Sequence, residues 1–189
     1  MPIRNTKSQY GSVAKFLHWL MFLLIVGLII VGSFMEDIEP MTLKFQVYGL
    51  HKSLGISVLI LVAVRLLWKI TNTSPSLPAH MKPIEKLMAH AGHAALYLLL
   101  IAMPVSGWVM SSAAGFPVSV FGLFTLPDLV APDRHLMKDM EDVHELLANA
   151  IMVLVSIHAL AALLHHFYHK DNVLKRMLPF VKVKEDNNA

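Results

Sequence analysis

Cysteine is absent from this chain. That excludes disulfides, thiolate metal sites, iron–sulfur clusters and covalent haem attachment through C-x-x-C-H. Charge is scarce too. Only 15% of the 189 residues are Asp, Glu, Lys or Arg, whereas a soluble globular domain carries about 25%. The net charge of +3 is small and dispersed, so nothing points to a nucleic-acid partner. There is no internal repeat and no low-complexity tract. Apolar residues are plentiful, at 56% of the chain, and need a non-aqueous home. Histidine is also abundant, with 11 residues, most of them in or beside apolar stretches. The length fits one domain over residues 1–189.

A bilayer core about 30 Å thick is crossed by about 20 mostly apolar helical residues. Four stretches qualify, at about residues 13–35, 48–70, 87–111 and 143–168. The fold class expected is an all-α membrane protein, a four-helix transmembrane bundle surrounded by lipid. The first stretch is too long for a signal-peptide core and no small-x-small site follows it, so it reads as a span that is kept. Arg4, Lys7, Lys15, Arg65, Lys69, Lys82, Lys86, Lys170, Lys175, Arg176, Lys182 and Lys184 lie in the two terminal segments and the middle loop, and are twelve of the 16 basic residues. The other two loops hold only Lys44, Lys52, Arg134 and Lys138. By the positive-inside rule both the N- and C-termini are cytoplasmic. In a bacterium this is a multi-pass protein of the inner (cytoplasmic) membrane, with the opposite loops in the periplasm. The region 113–142 contains Gly115, Pro117, Gly122, Pro127 and Pro132 and reads as a long packed or functional cap.

The histidines carry the chemistry. His144 and His158 are fourteen positions apart in the fourth span. On a helix that spacing falls about 40° short of four full turns and covers about 21 Å, so one face offers an imidazole near each side of the membrane. His51 opens the second span at the depth of His144, and His18 lies near the start of the first span at the depth of His158. The depths pair His51 with His144 and His18 with His158, as axial ligands of two haem irons. Two imidazoles leave no open iron position, so such haems carry electrons and do not bind oxygen. A single membrane histidine is as well explained by an interhelical hydrogen bond. Four at matched depths are harder to explain that way, because intramembrane ionisable groups are costly and usually functional.

Three further residues have two readings each. His93, on the third span, either competes with His18 for iron or bonds a haem propionate or quinone. Arg65, fourteen residues after His51, either pairs with a propionate of the cytoplasmic-side haem or snorkels to headgroups. His165, two turns beyond His158, either donates to a quinone carbonyl or joins His166 and His169 in a headgroup-level cluster. His80 and His135 read as solvated loop residues.

Several runs resemble the bacterial cytochrome b561 family: F-L-H-W-L at 16–20, L-H-K-S-L-G at 50–55, V-R-L-L-W at 64–68, G-H-A-A-L-Y at 92–97, H-E-L-L-A-N at 144–149 and the H-A-L-A-A-L-L-H-H-F-Y-H-K-D-N-V-L-K-R-M run at 158–177. The resemblance covers nearly the whole chain, in order. It implies a four-helix membrane bundle with two haem b groups, ligands matching His18, His51, His144 and His158, and a cytoplasmic-side ubiquinone site involving the residue that matches His165. No catalytic side chain is implied.

One branch of that family is a superoxide oxidase, passing electrons from periplasmic superoxide to ubiquinone. Segment 36–52 carries a net charge of −1 and segment 112–145 a net charge of −4. An anionic substrate is steered by positive potential, so an acidic outer face suits a cationic periplasmic redox partner better than superoxide. The expected function is electron exchange between the quinone pool and such a partner. The alternatives are a superoxide oxidase and a cytochrome b subunit of a hydrogenase-like or dehydrogenase complex.

Overall fold

A computed structural model describes residues 2–181; Lys182 and Lys184, counted above, lie outside them. In chain order the elements are α1 (Ser12–Phe34), a 3-10 turn (Met35–Asp37), α2 (Met41–Thr71), α3 (Pro83–Ala113), β1 (Ser119–Val120), β2 (Phe124–Thr125), α4 (Arg134–Phe167) and α5 (Val173–Met177). The fold is all-α apart from that small hairpin. Helices α1 to α4 are each long and apolar enough to cross a membrane. In lipid every backbone N–H and C=O must be satisfied internally, which a long helix does. Only 6% to 17% of the residues in their apolar windows are buried. Leu23, Ile30, Leu98 and Leu160 are all exposed, as side chains facing acyl chains would be.

The helices run past their apolar stretches, and the local chemistry at their starts explains where they begin. At α4, the Asp133 carboxylate accepts from the backbone N–H groups of His135 at 2.8 Å and Leu136 at 3.1 Å. That is an N-cap, and it starts the helix in the charged segment 134–142. At α3, Pro83 takes the first helical position and Glu85 accepts from the Lys82 N–H at 2.8 Å, half of a capping box. At α2, the Pro40 carbonyl accepts from Leu43 and Lys44. Such caps add polar turns that a hydropathy window does not see.

The chain forms two compact units. The first comprises Met1–Leu20, Ala63–Leu96 and Val153–Ala189, as far as they are described. In it, Lys15, only 3% exposed, donates from Nζ to the carbonyls of Leu178 at 2.9 Å and Val181 at 3.2 Å. Trp19 Nε1 donates to the Met177 carbonyl at 2.9 Å. The end of α5 is thereby fastened to the start of α1. Arg176 Nη1 donates to the Ser76 carbonyl and ties the α2–α3 loop to the same segment.

The second unit comprises Met21–Val62 and Tyr97–Met152. It contains the hairpin, which packs Val118 and Val120 on Ile56, with Trp108 and Leu126 alongside. Phe121 and Gly122 have φ of 49° and 71°, as the tight turn joining two antiparallel strands requires. A phenylalanine there is strained, and a buried serine holds it: Ser53 Oγ accepts from the Phe121 N–H at 3.0 Å and lies 3.1 Å from the Ser119 carbonyl. Lys52 donates to Ser111 Oγ at 3.1 Å at the hairpin's base. The cap expected over 113–142 therefore has regular structure of its own.

Candidate functional site

Two pairs of histidines face one another, one in each unit. In the second unit the rings of His51 on α2 and His144 on α4 have centroids 6.5 Å apart. In the first unit the rings of His18 on α1 and His158 on α4 lie 6.2 Å apart. All four are half-buried. Two imidazoles on one metal ion, each bonded at about 2 Å with its nitrogen about 1.1 Å from the ring centre, place their centroids roughly 6.3 Å apart. Both pairs match that separation.

His93 on α3 is also in the first unit, with its ring centroid 5.4 Å from that of His158. That is about 1 Å too close for two ligands on opposite sides of one ion. Arg65 lies in electrostatic range of His18, His93 and His158.

The surroundings of the second pair are specific. Ser106 Oγ donates to the Met103 carbonyl at 2.8 Å, which leaves its lone pairs to accept from His144 Nδ1 at 2.9 Å. With Nδ1 carrying the proton, His144 Nε2 is left bare as a ligand atom. Glycines make room for both rings. A Cβ on Gly107 would sit 3.0 Å from His144 Cε1, and one on Gly32 3.3 Å from His51 Cε1. Beside His51 opens a cleft lined by Leu23, Leu24, Gly27, Leu28, Val31, Leu50 and Leu54. Paired imidazoles, glycines at the ring edges and an aliphatic cleft fit haem b, the group the resemblance implies.

A second cluster lies in the first unit. Helix α4 ends at Phe167, and Lys170 then takes a left-handed φ of 55°. The chain doubles back, Asp171 N–H donates to the His165 carbonyl, and His165 Nδ1 bonds Asp171 Oδ2 at 2.6 Å. His80 Nε2 approaches the same oxygen at 3.5 Å. Desolvation alone would raise the Asp171 pKa, but the Val173 N–H and His165 outweigh it and hold it below the usual carboxylate range.

His80 is an exposed loop residue as expected, and in addition sits against Asp171. His135 is exposed as expected, although in the first turn of α4 and not in a loop. Ser106, Gly32 and Asp171 were missed by sequence reasoning. Only Asp171 left a signal, as a carboxylate shortly after a run of histidines.

The profile described as prokaryotic cytochrome b561 matches residues 9–180. "Cytochrome b561 homolog 2" of Escherichia coli K12 is 37% identical over 180 residues, covering 94% of this chain and 95% of that protein. "Probable superoxide oxidase CybB" of Yersinia pestis is 34% identical over 173 residues, covering 90% of this chain and 96% of that one. "Cytochrome b561 homolog 1" of Escherichia coli K12 is 28% identical over 176 residues, covering 91% and 98%. The chain thus belongs to the prokaryotic cytochrome b561 family, as a multi-pass inner-membrane protein of electron transfer.

Proposed function

We propose that the chain holds two haems b, one between His51 and His144 and one between His18 and His158, and moves electrons between ubiquinone and a periplasmic redox partner. The observation that carries this reading is the pair of ring separations, 6.5 and 6.2 Å, each matching two imidazoles on one ion. When bound, a haem with two imidazole ligands supplies a one-electron couple without an open site for oxygen. The residues around it bind and orient. Ser106 keeps the proton of His144 on Nδ1. The leucines beside His51 exclude water. Arg65 is the cation suited to a propionate of the haem at His18 and His158, and His93 the nearby second donor. At the end bearing His165, the short bond to Asp171 keeps a ring proton at Nδ1 and leaves Nε2 to accept from a quinol hydroxyl. The distribution of basic residues makes this the cytoplasmic end.

Superoxide oxidation is the second reading, and the similarity to a protein named as a probable superoxide oxidase favours it. Against it stands the acidic outer segment 112–145, with a net charge of −4. Lys52, one of the four basic residues in the two outer loops, is engaged by Ser111 and Pro117.

The test is haem content followed by reduction kinetics. Purified protein should carry two haems b per chain, His144→Ala and His158→Ala one each. Haem-free protein that is well inserted, or both variants retaining two normal haems, would sink the ligand assignment. Quinol should reduce the haems quickly and pulsed superoxide slowly. Fast, salt-sensitive reduction by superoxide would favour the second reading.

A further inference from the structure

We propose that His80, His165 and Asp171 form a binding site for a divalent transition-metal ion of the zinc class, separate from the paired histidines. One donor atom from each lies within 4.8 Å of the others. Two imidazoles and a carboxylate are the donor set that tetrahedral zinc takes, with bonds of about 2.0–2.2 Å. Donors on such an ion stand roughly 3.4 Å apart, so small side-chain rotations close the set. Oδ2 of Asp171 is shared: it bonds His165 Nδ1 at 2.6 Å and lies 3.5 Å from His80 Nε2. A proton occupies the place where the ion would sit. When the ion binds at Nδ1, that proton moves to Nε2 of the same ring.

The ligands come from three segments, and each segment is held. His165 is in the last turn of α4. Asp171 is anchored through Oδ1, which accepts from the Val173 N–H at 2.9 Å and leaves Oδ2 to the ion. Outer contacts of this kind keep metal ligands oriented. The loop bearing His80 is tied down at Ser76, whose N–H donates to the Lys7 carbonyl and whose carbonyl accepts from Arg176. His169 is a neighbour of the set. The His169 ring stacks on His80 at 5.7 Å and lies 5.1 Å from His165. With His80 half exposed, the site is open for an ion to enter.

Occupancy puts the His165 ring proton on Nε2, which then no longer accepts from a quinol hydroxyl, so the ion would slow electron exchange with quinone; this consequence rests on the quinone reading of His165. The experiment uses tag-free, haem-loaded protein and zinc alone. Equilibrium dialysis with elemental analysis should give one saturable zinc per chain. His80→Ala and Asp171→Asn should each weaken binding by about ten-fold or more, and His135→Ala should leave it unchanged, all with unaltered haem spectra. No saturable zinc, or equal affinity in His80→Ala and Asp171→Asn, would overturn the site. Quinol-driven haem reduction should then slow with zinc in the wild type and not in His80→Ala. Zinc bound at one per chain without that slowing upholds the metal site and counts against the quinone role of His165.

Discussion

At the scale of single residues, a hydroxyl decides which nitrogen of His144 is free. Ser106 donates to Met103 and accepts from His144, so its role is to orient and to enrich the imidazole. Ser106→Ala should leave two haems per chain and raise one midpoint potential by on the order of tens of millivolts, because a less basic ligand favours the ferric state less. A redox titration of the variant checks this; two unshifted potentials would remove Ser106 from the argument. Gly107→Val should cost one haem of the two while the other keeps its spectrum, since even a Cβ would stand 3.0 Å from the His144 ring. That His144 and His158 share a face was legible beforehand because fourteen residues on a helix nearly close four turns, and matched depth in the membrane pointed to His51 and His18 as their partners. Ser106 and Gly32 were not, since they meet the histidines across helices and no period along one helix records that. The roles of His93 and Arg65 stay with the proposed haem between His18 and His158.

At the scale of elements, hydropathy located the spans but not the starts of α2, α3 and α4. Helix α4 starts where Asp133 caps it, nine residues before the apolar stretch expected at 143. The hairpin was illegible for a different reason. Its turn signals, Gly115, Pro117 and Gly122, suit any irregular loop, and its strands are only two residues each. What makes it a hairpin is a tertiary contact, Ser53 holding the strained backbone at Phe121. Ser53→Ala should therefore destabilise the hairpin by about 1–3 kcal/mol, the cost of leaving buried partners unsatisfied. Hydrogen exchange over 117–126 is the measurement: faster exchange there, with the haem spectrum retained, is expected. Unchanged exchange would mean that apolar packing on Ile56 suffices.

At the scale of the whole molecule, twelve of the 16 basic residues lie in the terminal segments and the middle loop, and nine of the 13 acidic residues in the segments 36–52 and 112–145. A reporter fused after residue 189 should be active as a cytoplasmic fluorescent protein and silent as a periplasmic phosphatase; the opposite pattern would invert the proposed direction. Electron exchange with a cationic periplasmic partner should weaken as salt rises, because steering by the acidic face is screened. The placement of His144 and His158 on one helix also has a bearing on biogenesis. Helix α4 is the last of the four spans to leave the ribosome, and each histidine pair has one member on it. Neither pair exists on a nascent chain that ends before α4, however well α1 to α3 are inserted. On the proposed assignment, haem capture waits for the final span, and a chain truncated before residue 144 would enter the membrane colourless.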